Sequence, residues 1–475
     1  MNIFRRFFSV EYMVKPEHMH GGLIGTGEAY RNLLKIAIPS IIEMVFVALI
    51  GSVDVIMVGR LGFEAIAAVG LASQPRFILM TIFLALNVGV TAIVARRKGE
   101  ELPDQAKLAV RNALVLGLGL TIVVMTLALV FSRQIMLIAG AQPDTIDMAD
   151  DYFRIMLCFM PVNAVTMCIN AAQRGVGNTR ITMIANLAAN VINVFFNYLL
   201  IYGNWGFPKL GVKGDAWASG VGFCVAMAIT LAAAFSSKGD NGFIRISFKD
   251  SWRLHKETVM SIVKIGGNSA FEQIAQRIGI FIYAIIIANL GTAVFSAHQV
   301  CMQFLSLSFN FGNGLAAAAI SLVGQMLGKK RADLAIIYGK CAQRLALLIG
   351  VTLAGSILLF RGPLVGIFLD RGDAANILSV STAVDIMLVV AMIQPPQTSA
   401  VVYAGCLRAA GDNLYVAFTM LICVAIARPI LSSLAVYVFG FGAIGAWSAT
   451  FCDMCLRLFL VHRRFSGTKW HDIKV

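Results

Sequence analysis

Two carboxylates stand in an otherwise apolar run, LLKIAIPSIIEMVFVALIGSVDVIMVGRLG from Leu33 to Gly62: Glu43 and Asp54. Neither has an obvious cationic neighbour within that run. At about 1.5 Å of rise per residue, a helix from Leu34 to Val58 is long enough to cross a hydrocarbon core of roughly 30 Å. An ionisable group at that depth costs at least about 2.5 kcal/mol, so it faces a bundle interior or a wet cavity. Glu43 and Asp54 are about three helical turns apart and share one helix face. A partly desolvated carboxylate takes up either a proton or a metal cation, so H⁺ and Na⁺ compete for one group. Further along, Asn186, Asn190, Asn193 and Asn197 recur at spacings of four, three and four, again one helical stripe. Amides so placed join helices by hydrogen bonds or line a cavity, and four on one face exceed what packing needs. The other embedded ionisable residues are Glu272, Arg76, His298 and Arg428.

The composition decides what kind of element holds these groups. Of 475 residues 58% are hydrophobic and 13% charged, against roughly 25% charged in a soluble domain. The chain is therefore expected to be an all-α integral membrane protein. Its net charge of +14 suggests nucleic acid in a soluble protein, but here the basic residues gather in particular loops, which fits membrane orientation and no nucleic-acid partner. The nine cysteines lie mostly in apolar runs and read as small buried hydrophobes. Cys452 and Cys455 form one CxxC inside FCDMCLRLFL with no second pair to complete a metal site. The first thirty residues carry Arg5, Arg6, Glu11, Lys15, Glu17 and Glu28 and lack the uninterrupted apolar core of a cleaved signal peptide.

After the first span, hydropathy predicts helices at about 64 to 94, 108 to 131, 151 to 173, 181 to 203 and 214 to 236. A polar interval, SSKGDNGFIRISFKDSWRLHKET, separates these from a second set at about 259 to 289, 295 to 327, 336 to 360, 381 to 406, 414 to 439 and 441 to 462. The expected organisation is an N-terminal segment 1–33, an N-lobe 34–236, a linker 237–258, a C-lobe 259–462 and a tail 463–475. Lys and Arg cluster in alternate connections: Arg5, Arg6, Lys15, Arg31 and Lys35; Arg96, Arg97, Lys98, Lys107 and Arg111; Lys238, Arg245, Lys249, Arg253 and Lys256; Lys329, Lys330, Arg331, Lys340 and Arg344; and Arg463, Arg464, Lys469 and Lys474. The opposite connections hold scattered residues such as Arg60, Arg133, Lys209, Lys213, Arg361 and Arg371. The positive-inside rule then puts both termini and the linker in the cytoplasm.

The halves repeat. GRLG at Gly59 to Gly62 and ANLG at Ala288 to Gly291 are offset by 229, and the same offset places Gln74 on Gln303 and RRKG, ending at Gly99, on QMLG, ending at Gly328. With small gaps, QRGVGNTR faces LRAAGDNL, and GDAWAS around Trp217 faces GAWSA around Trp447. Six spans per half make this a parallel repeat about the membrane normal, an architecture that supports alternating access. Glu43 falls on Glu272, whereas Asp54 falls on Tyr283, so the second acid belongs to the first lobe alone. Arg428 aligns approximately with Asn193, and a fixed cation there repels Na⁺, which favours coupling in the N-lobe.

IPSIIEM with SVDVIMVGRLG, NVINVFFNYLLIYG, SAFEQIAQRIG followed by LGTAVFSAHQ, LVGQMLG and AGCLRAAGDN resemble, in order and over about residues 30 to 460, the multidrug and toxic compound extrusion (MATE) family of bacterial NorM and DinF-like type. The resemblance implies two six-helix bundles in a V and export of organic cations, drugs or other amphipathic compounds against inward Na⁺ or H⁺, with no other cofactor. Asp54 matches the span-one acid used for cation coupling, Asn193 and Asn197 the span-five pair of the same pocket and of a possible Na⁺ site, and Glu272 the span-seven acid of bacterial members. The chain departs where NorM relatives carry later acids, at Gln276 and Gln397, and where DinF-like relatives carry an aspartate, at Asn197. Glu43, Glu272, Gln276, Gln74, Gln303, Asn190 and Arg428 are candidates for a substrate cavity or secondary coupling. The partners expected are small amphipathic or cationic solutes and membrane lipid, for a monomer in the bacterial cytoplasmic membrane. A lipid flippase of the same superfamily is the competing reading; it is expected to add spans or cavity arginines. An intramembrane enzyme lacks support, since the sequence has no HExxH and no GxSxG.

Overall fold

Long apolar stretches fold as helices because a membrane leaves no water to satisfy a broken backbone. A computed structural model of the chain describes residues 3–14, 19, 21–236, 240–247, 249–368, 377–471 and 473, and its regular elements are all helical. Lys15, Glu17, Lys238, Arg371 and Lys474 lie outside the described residues. Twelve spans are counted when one bent pair is taken together. They are Thr26–Gly59, Phe63–Gly99, Pro103–Val130, the pair Ile146–Cys158 and Met160–Gly175, Thr179–Leu200, Val212–Phe235, Lys256–Ala288, Thr292–Gly328, Ala332–Gly366, Ile377–Ala409, Asn413–Val438 and Gly442–Ser466.

The fourth span differs from the single helix expected at 151 to 173. It begins at Ile146 and bends by 48° at Phe159. Pro161 sits in the first turn of its second half, where it removes one backbone donor and its ring crowds the preceding turn. The eleventh span carries wide π turns at Leu421–Ala427 and Leu434–Val438 on either side of Pro429. Proline again removes a rung of the ladder, and a wider turn accommodates the lost bond.

The repeat is visible in the backbone. Gly62 and Gly291, which open the second and eighth spans, have φ of +119° and +107°; Gly177 and Gly411, which precede the fifth and eleventh, have +85° and +87°. A side chain resists these left-handed values, so each pair preserves the same reversal in both halves.

Contacts divide the chain into two units. One comprises Ile42–Ala270, around a core that includes Val58, Phe83, Phe153, Met160 and Ile201. The other combines Met1–Ile41 with Phe271–Val475. Its clusters include Met13, Leu33, Tyr338, Phe465 and Trp470, and separately Tyr283, Met387 and Trp447. The division thus falls inside the first and seventh helices, whereas the polar interval marks the change of sequence half. Described residues before residue 34 pack into this unit: Met13 is 1% exposed, and Lys340 Nζ donates to its carbonyl at 2.6 Å.

Candidate functional site

In the unit Ile42–Ala270, three helix ends meet at one level. Asp54 lies one turn before the end of the first span, Asn197 one turn before the end of the fifth, and Asp215 one turn after the start of the sixth. The fifth and sixth spans can approach this closely because Gly214 and Gly222 carry no side chain: a Cβ at Gly214 would lie 2.5 Å from the Leu200 carbonyl oxygen, and one at Gly222 2.8 Å from that of Ala189. Asn197 Nδ2 donates to Asp54 Oδ1. Asp215 turns its carboxylate toward Asp54, Asn197 and Tyr152, and Arg76 is within electrostatic range.

Both Asp215 and Asn197 have no solvent exposure, and neither Asp215 oxygen nor Asn197 Oδ1 meets a donor in hydrogen-bonding geometry. Two carboxylates that face each other repel, and a proton or a cation between them removes the conflict. The facing groups are oxygens, a donor set that suits H⁺ or a hard cation and not a soft metal. No group of three or more His, Cys, Asp or Glu placed to hold a metal ion occurs among the described residues. Asn193 sits a turn away and donates to Ser219 Oγ at 3.1 Å; Asn190 bonds to the carbonyl of Asn186 at 2.7 Å. Neither has a hydrogen bond to Asp54.

Glu43 forms a second rung between the first and fifth helices. It accepts from Asn186 at 2.6 Å, from Thr182 at 2.9 Å and from Arg174 Nη2 at 2.5 Å. Glu43 with Asn186 and Asp54 with Asn197 are both separated by 143 residues, so two parallel helices are tied at levels about three turns apart. Their chemistry differs: Glu43 is neutralised by an arginine, while Asp54 faces another acid.

The second unit repeats the acid–arginine pair of Glu43 and Arg174. Glu272 accepts two hydrogen bonds from Arg408, the repeat counterpart of Arg174. At the counterpart of Asp54, Tyr283 is buried beside His298 and Trp447, with the Arg428 guanidinium 5.7 Å from its ring. Arg428 is bonded to Asp453 through Nε and Nη2, so its charge is paired inside the unit. Gln276 lines a cavity with Glu272, Gln397 bonds to the Leu305 carbonyl at 3.3 Å, and Gln74 and Gln303 are exposed. All nine cysteines are unpaired.

Sequence reasoning missed Asp215, Arg174 and Arg408. A signal for Asp215 stood in GDAWAS, where an acid begins an apolar span and the other half's GAWSA has none. The two arginines close their helices beside Gly177 and Gly411 and were legible as a repeated R–x–x–G, but their partners lie on distant helices.

Repeated six-span halves with carboxylates buried in each define the class as a polytopic membrane transporter. The MatE family profile matches residues 39–199 and 269–434, one stretch in each half. The chain belongs to this family, whose members are transporters and not enzymes. It is 25% identical over 446 residues to the uncharacterized transporter YisQ of Bacillus subtilis, covering 92% of this chain and 94% of that one. It is 26% identical over 446 residues to the probable multidrug resistance protein NorM of Thermotoga maritima, covering 93% of each. Its fold is similar to that of a MOP superfamily transporter from Pyrococcus furiosus, reported for the reverse polarity of its binding pocket, with a TM-score of 0.86 at 19% identity over 93% of this chain and 97% of that one.

Proposed function

We propose that this protein is an antiporter that exports small amphipathic or cationic compounds across the bacterial cytoplasmic membrane by alternating access, driven by inward H⁺ or Na⁺. Both termini face the cytoplasm, and the protein works as a monomer without a further cofactor. The observation that carries the reading is the pairing of the half-buried Asp54, held by Asn197, with the fully buried Asp215, whose carboxylate oxygens have no hydrogen-bond donor. A site of that kind takes up one positive charge and releases it when its surroundings change, which is the chemistry coupling requires. The named function of the NorM relative, multidrug resistance, supports small amphipathic compounds as cargo. Glu43 and Glu272 serve as clamps between helices, since each already has an arginine.

The test is efflux from proteoliposomes under separately imposed H⁺ and Na⁺ gradients. Wild-type protein responds to one of them, and Asp54→Asn loses gradient-driven transport while remaining folded. Undiminished transport by Asp54→Asn removes the coupling assignment.

A further inference from the structure

Among the described residues of the unit containing Phe271–Val475, and apart from Asp333 in the first turn of its helix, which is paired with Arg331, five charged side chains within the membrane helices are buried or nearly so: Glu272, Asp453, Arg408, Arg428 and Arg457. Three are guanidinium groups and two are carboxylates. Arg408 is bonded to Glu272 and Arg428 to Asp453, which leaves Arg457 without a carboxylate in contact. It is 3% exposed. Its Nη1 points at Met420 Sδ at 3.3 Å and its Nη2 at the sulfur of Met454, both weak acceptors, and its Nε has no partner. Asp453 is within electrostatic range but makes no hydrogen bond to it.

A buried, permanently charged fork with thioethers for neighbours is incomplete without an anion. Arg457 lines a cavity of about 40 Å³ together with Arg408, Glu272, Gln276, Asn313 and Met420. That volume holds roughly three water-sized positions, the space of one carboxylate or phosphate group with the rest of its molecule outside. The Gln276 and Asn313 amides have no hydrogen bonds to other described residues, so their N–H groups are available. The cavity's acid, Glu272, is already occupied by Arg408, so the local balance is positive. Guanidinium pairs with oxyanions in a two-pronged geometry that neither halide nor water reproduces.

We propose that Arg457, with Arg408, Gln276 and Asn313, binds the carboxylate or phosphate group of an amphipathic solute. The site lies in the other unit from Asp54, so solutes of either charge are accepted through different groups.

The experiment uses the full chain in an uncharged detergent and follows thermal unfolding with benzoate, phenyl phosphate and, as the matched cation, benzylammonium. Benzoate and phenyl phosphate raise the midpoint saturably and benzylammonium does not. Arg457→Met, which keeps the volume among sulfur neighbours, weakens that binding at least tenfold, Arg457→Lys weakens it less, and Asp54→Asn leaves it unchanged, so failure of the coupling reading does not imitate failure here. If Arg457→Met does not fold, Gln276→Ala and Asn313→Ala are each expected to weaken binding several-fold. A separate arm adds an anionic phospholipid: stabilisation by lipid alone, with none by the two aromatic anions, overturns the proposal. So does equal anion binding by wild type and Arg457→Met, or by wild type and both amide variants.

Discussion

An acid beside an acid behaves differently from an acid beside an arginine, and the first helix carries one of each. Glu43 has three donors, so replacing it with glutamine costs the charge in those bonds and leaves Arg174 without its partner. Because Arg174 keeps 26% exposure, water recovers part of the loss, and Glu43→Gln is expected to lower stability by about 1–3 kcal/mol. Transport by Glu43→Gln retains its ion dependence; denaturation and efflux measured on the same preparation separate the two effects. Asp215→Asn is expected to do the reverse. It removes a charge that has no cation in contact, so the fold is unaffected or more stable, while the driving-ion concentration for half-maximal efflux rises at least tenfold. An unchanged ion requirement in Asp215→Asn shows that Asp54 works alone.

Helices here approach through missing side chains, and that sets a prediction for elements. Gly279 of the seventh span meets the π-helical part of the eleventh: a Cβ would lie 2.1 Å from the Val424 carbonyl oxygen. Gly279→Ala therefore forces backbone apart and is expected to destabilise by about 1–3 kcal/mol. Gly267, on the same helix with nothing within 4 Å of its Cβ position, tolerates alanine. Thermal unfolding of the two variants side by side checks the contrast. The same elements show what the chain made legible. Hydropathy located the spans because membrane helices need about 20 apolar residues, and the offset of 229 aligns Gly62 with Gly291, the two left-handed turns. The bend at Phe159 was less visible, because Pro161 lies inside the span expected at 151 to 173 and a proline inside a membrane helix does not by itself break it, as Pro75 and Pro395 show. Asp215 is one charge at a span's edge, and its neighbour Asn197 lies on another helix, so no local spacing joins the two. The Glu43–Arg174 and Glu272–Arg408 pairs join residues 131 and 136 apart, beyond any local periodicity.

At the scale of the molecule, sequence halves and folded units do not coincide. Residues 1–41 pack with Phe271–Val475, and residues up to Ala270 belong with the first half. The exchanged segments are integral: Leu33 and Ile262 have no exposure, Gly314 would meet the Ile41 backbone at 2.8 Å if it carried a Cβ, and Gly89 would meet the Ile262 carbonyl at 3.1 Å. Close packing, not hydrophobic transfer, is what associates helices within lipid, so a unit lacking its exchanged segment loses contacts that lipid tails do not replace. A chain cut in the polar interval after Ser251 tests this. Expressed alone, fragments 1–251 and 252–475 are expected to aggregate or be degraded, since each leaves one unit incomplete and carries an orphaned segment of the other. Co-expressed, they are expected to copurify through a tag on either one and to restore efflux. A monodisperse, thermally cooperative fragment obtained alone shows instead that each sequence half is a complete folding unit and that the first and seventh helices merely lie alongside their neighbours.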